Sequence, residues 1–190
     1  MTRLFLIAIV LIFLFGCHHP HYKDPHIIIE TSQGDIEIEL YPDKAPKTVA
    51  AFLSYIDAGD YKNSAFYRVL LTQDMGGHNL GVIQGGISQT NEKLYNSIAG
   101  IIHESTKQTG LSHADGTISL ARAEVGTAST EFFICIGDQS QFDYREGGDP
   151  GFAAFGKVFS GMDVIQNIQS LPANGERLKE KIVIKDIRRL

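Results

Sequence analysis

Apolar residues recur at every second position in two stretches of the chain. Ile27 and Ile29, then Ile36, Ile38 and Leu40, alternate with Glu30, Glu37 and Glu39. This alternation marks strands with one buried face, and Gly34 marks the turn of a hairpin. The period then changes. Val49, Phe52, Leu53 and Ile56 fall at i, i+3, i+4 and i+7, which predicts a helix with one apolar stripe. Pro46 suits its first turn and Gly59 its end. Short apolar runs predict further strands around Phe66–Leu70, Val82–Gln84, Thr117–Ala121, Phe132–Ile136 and Phe155–Val158. A second helix is expected from Ser160, with Asp163 as its capping partner. It should bury Val164, Ile165 and Ile168 and stop before Pro172. Alternating Ile182, Ile184 and Ile187 give a last strand. Many short strands, glycine punctuation and two helices predict a mainly β fold, a closed eight-stranded antiparallel β-barrel capped by two α-helices.

The amino terminus reads differently. After Arg3, Leu4 to Phe15 is an unbroken apolar run, too short for a bilayer span of roughly 18 or more residues. It fits a signal-peptide core, and Leu14-Phe15-Gly16-Cys17 resembles a bacterial lipoprotein cleavage box. Residues 1–16 are therefore expected to be a signal peptide and Cys17 the lipidated first residue of the mature protein. Residues 17–25 then form a lipidated N-terminus and short linker, and residues 26–190 one domain. The eight residues from His18 to Pro25 span at most about 29 Å, so the domain should stay near a membrane of the cell envelope, in the periplasm or extracytoplasmic space. His18, His19, His21 and His26 lack a carboxylate or thiolate at a recognised spacing, so no metal site is expected. Cys135, inside an apolar run, reads as a buried small hydrophobe.

Composition narrows the chemistry. With 22 acids against 17 Lys and Arg, the formal charge is −5, which argues against a nucleic-acid partner. Ser112, His113 and Asp115 look triad-like, but such close neighbours do not usually converge, and no strained serine elbow is present. Gly76-Gly77 and Gly147-Gly148 lack the Lys and Ser/Thr of a phosphate loop. What remains is Arg68 on an apolar strand, followed by Gln84 and two glycines. That set suits a reaction with no covalent step and no cofactor.

From His26 to Leu190 six motifs occur in order. They are Ala45-Pro46-Lys47-Thr48-Val49, Phe66-Tyr67-Arg68-Val69, Val82-Ile83-Gln84-Gly85-Gly86, Gly116-Thr117-Ile118-Ser119-Leu120-Ala121-Arg122, Ser129-Thr130-Glu131-Phe132-Phe133-Ile134 and Gly151-Phe152-Ala153-Ala154-Phe155-Gly156-Lys157-Val158. Through them the chain resembles the cyclophilin family of peptidyl-prolyl cis–trans isomerases. The resemblance implies that Arg68 donates to the prolyl nitrogen in a twisted transition state. It places Val82, Phe133, Phe142 and Phe152 in an apolar proline pocket, with Gln84 and Ala121 contacting the peptide. Tyr67, Arg122 and Glu131 complete the expected substrate-binding set. The implied partners are proline-containing peptides and unfolded proteins, met by a monomer; a binding or chaperone module with little catalysis is the alternative.

The chain departs from the family at several positions. Tyr67 stands where many members have histidine, Gly81 where a pocket-edge phenylalanine is common, and Gln141 where many have tryptophan. Gly81 is expected to loosen that wall of the pocket. Arg122 and Glu131 replace two neutral amides, and an ion pair between them is expected, with Glu131 also orienting Arg68.

Overall fold

The computed structural model describes residues 22–190, so the expected signal peptide, Cys17 and most of the expected linker lie outside the described residues. The strands are β1 (His26–Thr31), β2 (Asp35–Leu40), β3 (Ser64–Gln73), β4 (Asn79–Gly86), β5 (Thr117–Leu120), β6 (Phe132–Ile136), β7 (Ala153–Ser160), β8 (Ala173–Asn174) and β9 (Arg177–Arg189). The helices are α1 (Pro46–Ala58), α2 (Glu92–Tyr95), α3 (Thr106–Thr109) and α4 (Met162–Gln169), with a 3₁₀ turn at Ser140–Phe142.

Neighbouring strands run β1-β2-β7-β5-β6-β4-β3-β9, and β1 pairs back onto β9. Eight strands thus close a ring, every pairing antiparallel, while the two-residue β8 hangs on β9 as a short hairpin. The expected eight-stranded barrel is therefore present. The single-turn α2 and α3 and the β8–β9 hairpin are additions, too short for a periodic signal.

Alternation fills the barrel. Ile27, Ile29, Ile36, Ile38 and Leu40 are fully buried, as are Phe66, Ile83, Ile118, Phe132, Ile134 and Phe155. Phe52 of α1 packs edge-on against Phe132, with ring centroids 5.7 Å apart, and also meets Tyr61 and Phe155. From α4, Ile165 and Ile168 join the same core, and Val164 is only partly buried. Ser160 does not cap α4. It ends β7, and Gly161 takes the cap position with no side-chain hydrogen bond.

The start of α1 is held from a distance. Its cap residue, Ala45, has no side chain to offer. Instead the buried Glu104 carboxylate accepts from the backbone N–H groups of Lys47 (3.2 Å) and Thr48 (2.8 Å) and from the Thr48 hydroxyl (2.8 Å). It thereby satisfies orphan donors at the positive end of the helix dipole. Glu104→Ala is expected to cost about 2 kcal/mol, the upper range for lost caps, read as a lower urea midpoint. An unchanged midpoint would show that the first turn holds itself.

Candidate active site

Strand register assembles the site on the outer wall of the barrel. Arg68 pairs with Gln84, Gln84 with Phe133, and Phe133 with Ser119, one row across β3, β4, β6 and β5. Two residues along, Leu70, Val82 and Cys135 form the next row. Because side chains alternate faces, Phe132 and Ile134 point into the barrel while Phe133 and Cys135 point out. The register of β3 slips between Phe66 and Arg68 against both β4 and β9. This bulge makes Tyr67 an extra residue, so Phe66 can enter the core and Arg68 still face outward.

A cleft of about 230 Å³ lies over these rows, lined by Arg68, Leu70, Val82, Gln84, Ala121, Arg122, Phe133, Phe142 and Phe152. Its floor is three rings, Phe133, Phe142 and Phe152, in mutual edge-to-face contact with centroids 5.3–5.6 Å apart. Eight of the ten expected catalytic or substrate-contacting residues are thus brought together. Tyr67 and Glu131 are not among the lining residues; both are buried behind Gln84.

There they form a directed chain of hydrogen bonds. Arg68 Nη1 donates to Gln84 Oε1 (2.7 Å), Gln84 Nε2 to the Tyr67 hydroxyl (2.9 Å), and that hydroxyl to Glu131 Oε2 (2.5 Å). Ser88 donates its N–H and hydroxyl to the same carboxylate. Each bond polarises the next in the same sense, toward Glu131. Burial, and then the adjacent Glu131 charge, push the Tyr67 phenol far above its ordinary value, so it remains a donor. The second glycine after Gln84 now has a reason. Gly86 sits at φ 147, and a Cβ there would collide with the Glu131 carboxylate.

The expected Arg122–Glu131 ion pair is absent. Arg122 instead donates to the Gly151 carbonyl from Nε (3.0 Å) and Nη2 (2.7 Å), to Ala123 O, and to Asp149 Oδ1 at 2.7 Å. Its guanidinium lies 5.0 Å from the Phe152 ring centroid. Arg122 therefore pins the loop between Phe142 and Phe152, while Glu131, already met by three donors, reaches Arg68 only through Tyr67 and Gln84. At Gly81 a side chain would run into the Leu70 carbonyl, and the Leu70 side chain is among those that line the cleft. Gln141 is exposed and bonds Gln139, outside the cleft.

Two features escaped the sequence reading. The first is Glu176, which takes the other edge of the Arg68 guanidinium: Nε and Nη2 donate to its Oε2 at 2.8 and 2.5 Å. Its only signal was Asn174-Gly175, a hairpin dipeptide. The second is the setting of His113, weighed above only as part of a triad-like run: it is fully buried beneath the floor and stacked 15° from parallel on Phe133. Its Nδ1 lies 2.6 Å from Asp143 Oδ1 and its Nε2 lies 3.0 Å from Ser119 Oγ. Asp115 goes elsewhere, accepting from the Gly137 N–H. The resulting Asp–His–Ser chain is sealed from solvent at Ser119 and has no route to a substrate. Burial also pushes the Cys135 thiol far up, leaving it an inert hydrophobe.

Comparison with known proteins follows the same lines. The family model described as cyclophilin type peptidyl-prolyl cis-trans isomerase/CLD matches residues 26–189. The chain is 36% identical over 147 residues to a peptidyl-prolyl cis-trans isomerase of Acinetobacter baylyi, covering 77% of this chain and 72% of that one. It is 30% identical over 166 residues to peptidyl-prolyl cis-trans isomerase B of Escherichia coli, covering 85% and 94%. Among solved structures, a Cryptosporidium parvum cyclophilin type peptidyl-prolyl cis-trans isomerase, crystallised in the presence of the dipeptide ala-pro, is 25% identical. It superimposes with a TM-score of 0.65 over 85% of this chain and 96% of that one.

Proposed function

The chain belongs to the cyclophilin-type peptidyl-prolyl cis-trans isomerases, and from that premise we propose that its outer-wall cleft turns X-Pro bonds of unfolded extracytoplasmic proteins, with Arg68 as the donor to the prolyl nitrogen. Rotation about a peptide bond faces a barrier of about 18–20 kcal/mol because nitrogen lone-pair resonance stiffens it. As the bond twists, the lone pair localises on nitrogen and becomes a hydrogen-bond acceptor. A donor placed there stabilises the transition state more than the ground state, which is the requirement for catalysis.

The observation that carries this reading is the guanidinium at the rim of a three-ring apolar cleft. Of the five N–H groups of an arginine, three on Arg68 are committed, to Glu176 twice and to Gln84 once. One N–H on each of Nη1 and Nη2 is left for a ligand. Phe133, Phe142 and Phe152 offer a proline ring an apolar seat, and Val82 and Leu70 its walls. Ala121 and Gln84 lie beside it as peptide contacts. The ala-pro dipeptide named for the Cryptosporidium structure supports proline-containing segments as ligands here.

The resemblance of Leu14-Phe15-Gly16-Cys17 to a lipoprotein cleavage box supports a lipid-anchored protein of the cell envelope. Its clients are then the unfolded proteins that reach that compartment. The test is cis–trans exchange of a short X-Pro peptide, followed by NMR. Catalysed exchange is the expected result. Peptide binding without acceleration would reduce the protein to a proline-segment binding module.

A further inference from the structure

We infer that Glu176 is a positioning residue for Arg68, holding the guanidinium plane so that its outer N–H groups face the ligand. This rests on the reading of Arg68 as the donor. The β8–β9 hairpin is built to deliver it. Arg177 pairs in register with Arg68, and the Val69 N–H donates to the Glu176 carbonyl at 2.8 Å. The turn is therefore fastened to β3 beside the bulge that aims Arg68. Arg177 also lies over the Tyr67 ring, 5.6 Å from its centroid, so the hairpin covers the flank of the hydrogen-bond chain as well.

The division of donors is what makes the pair directional. Glu176 takes the Nε–Nη2 edge with a single oxygen, and Gln84 takes Nη1 from the other side. Two contacts at different atoms of one planar group fix both its position and its rotation. An arginine held by Gln84 alone could swing about that contact, and its remaining N–H groups would reach the prolyl nitrogen only part of the time. The pair is too exposed to serve the fold, with the Arg68 and Glu176 side chains 39% and 49% accessible. Exposed pairs of this kind add little to stability. Its contribution is orientation, of the kind that changes rate and leaves affinity alone.

The experiment compares wild type, Glu176→Ala and Glu176→Gln on the full chain by NMR exchange of an X-Pro peptide. Glu176→Ala is expected to lower kcat about tenfold at unchanged KM and unchanged melting midpoint. Glu176→Gln keeps an acceptor oxygen at the same reach and should stay within about threefold of wild type. A Glu176→Ala enzyme as fast as wild type, or faster, overturns the role, as does a Gln variant no better than Ala. Arginine Nε–H resonances give the second reading. The Arg68 Nε–H should be protected from exchange in wild type and lose protection in Glu176→Ala; unprotected in wild type, it overturns the pair itself. A wild type with no isomerase activity overturns the functional reading and this role together, whereas an active wild type matched by Glu176→Ala removes this role alone.

Discussion

Arg68→Ala is expected to lower kcat by about 10²–10³-fold, the usual loss when one preorganised donor to a transition state is removed. The fold should survive the change. The side chain is 39% exposed, and the β3 ladder to β4 and β9 is made by backbone atoms. Loss of rate with an unshifted melting midpoint therefore distinguishes a chemical defect from unfolding. Arg68→Lys makes the same point more sharply. An ammonium is a compact point charge without the planar fork. Its three N–H groups radiate from one atom, so it does not reproduce contacts to Glu176 and Gln84 made from separate atoms of a planar group while aiming a donor at the ligand. Little of the activity should return. A kcat within threefold of wild type in the alanine variant would remove Arg68 from the mechanism.

His113→Ala should cost about 3 kcal/mol of stability, with the cleft disturbed as a consequence. Removing the ring leaves a void beneath Phe133 and orphans the Ser119 hydroxyl, which has no access to solvent. An unmade buried hydrogen bond costs about 1–3 kcal/mol, and the void adds to it. At about 2–4 °C per kcal/mol for a domain of this size, the melting midpoint should drop by roughly 6–12 °C. The variant also isolates a pH effect. Burial pushes the His113 pKa below its ordinary 6.5, and the Asp143 charge opposes that shift without reversing it. The unfolded chain therefore takes up the proton more readily than the folded one. Stability is complete above about pH 6.5 and falls as pH drops below it. Asp143 moves the other way relative to its own cost of burial. Hydrogen bonds from Ser112 and His113 outweigh that cost and hold its carboxyl below the ordinary value. Its contribution is lost only in stronger acid. Between pH 7 and pH 5, then, His113→Ala should show a shallower loss of urea midpoint than wild type. Equal slopes would show that the ring plays no part in the acid response.

Much of the fold was legible because strands and helices advertise themselves by period. Ile36, Ile38 and Leu40 could hardly be anything but one face of a strand, and the stripe from Val49 to Ile56 names its helix. The site was legible in part, where its residues sit in ordered motifs, as Arg68, Gln84 and Phe133 do. Its connections were not. Glu176 lies 108 residues from Arg68 and Asp143 lies 30 from His113. No local pattern joins them; only the barrel register does. The Arg122–Glu131 expectation failed for a related reason. Opposite charges on nearby segments suggested a pair, yet each had better partners. For Arg122 these were the Gly151 carbonyl and Asp149, and for Glu131 a phenol and a serine. Sequence shows which charges exist but not which of several acceptors the backbone brings within reach.

If the protein's clients are the unfolded chains proposed above, the closed ring carries a consequence for how they are met. Each of the ring's eight strands has a neighbour on both flanks, and among the described residues only the two-residue β8 is left with an open side, so a client finds no long free edge to extend. A sticky polypeptide can lie across the wall, be worked on through side-chain contacts, and leave. The closed ring offers it no place as a ninth member, which would keep such a catalyst from seeding aggregation of the chains it turns.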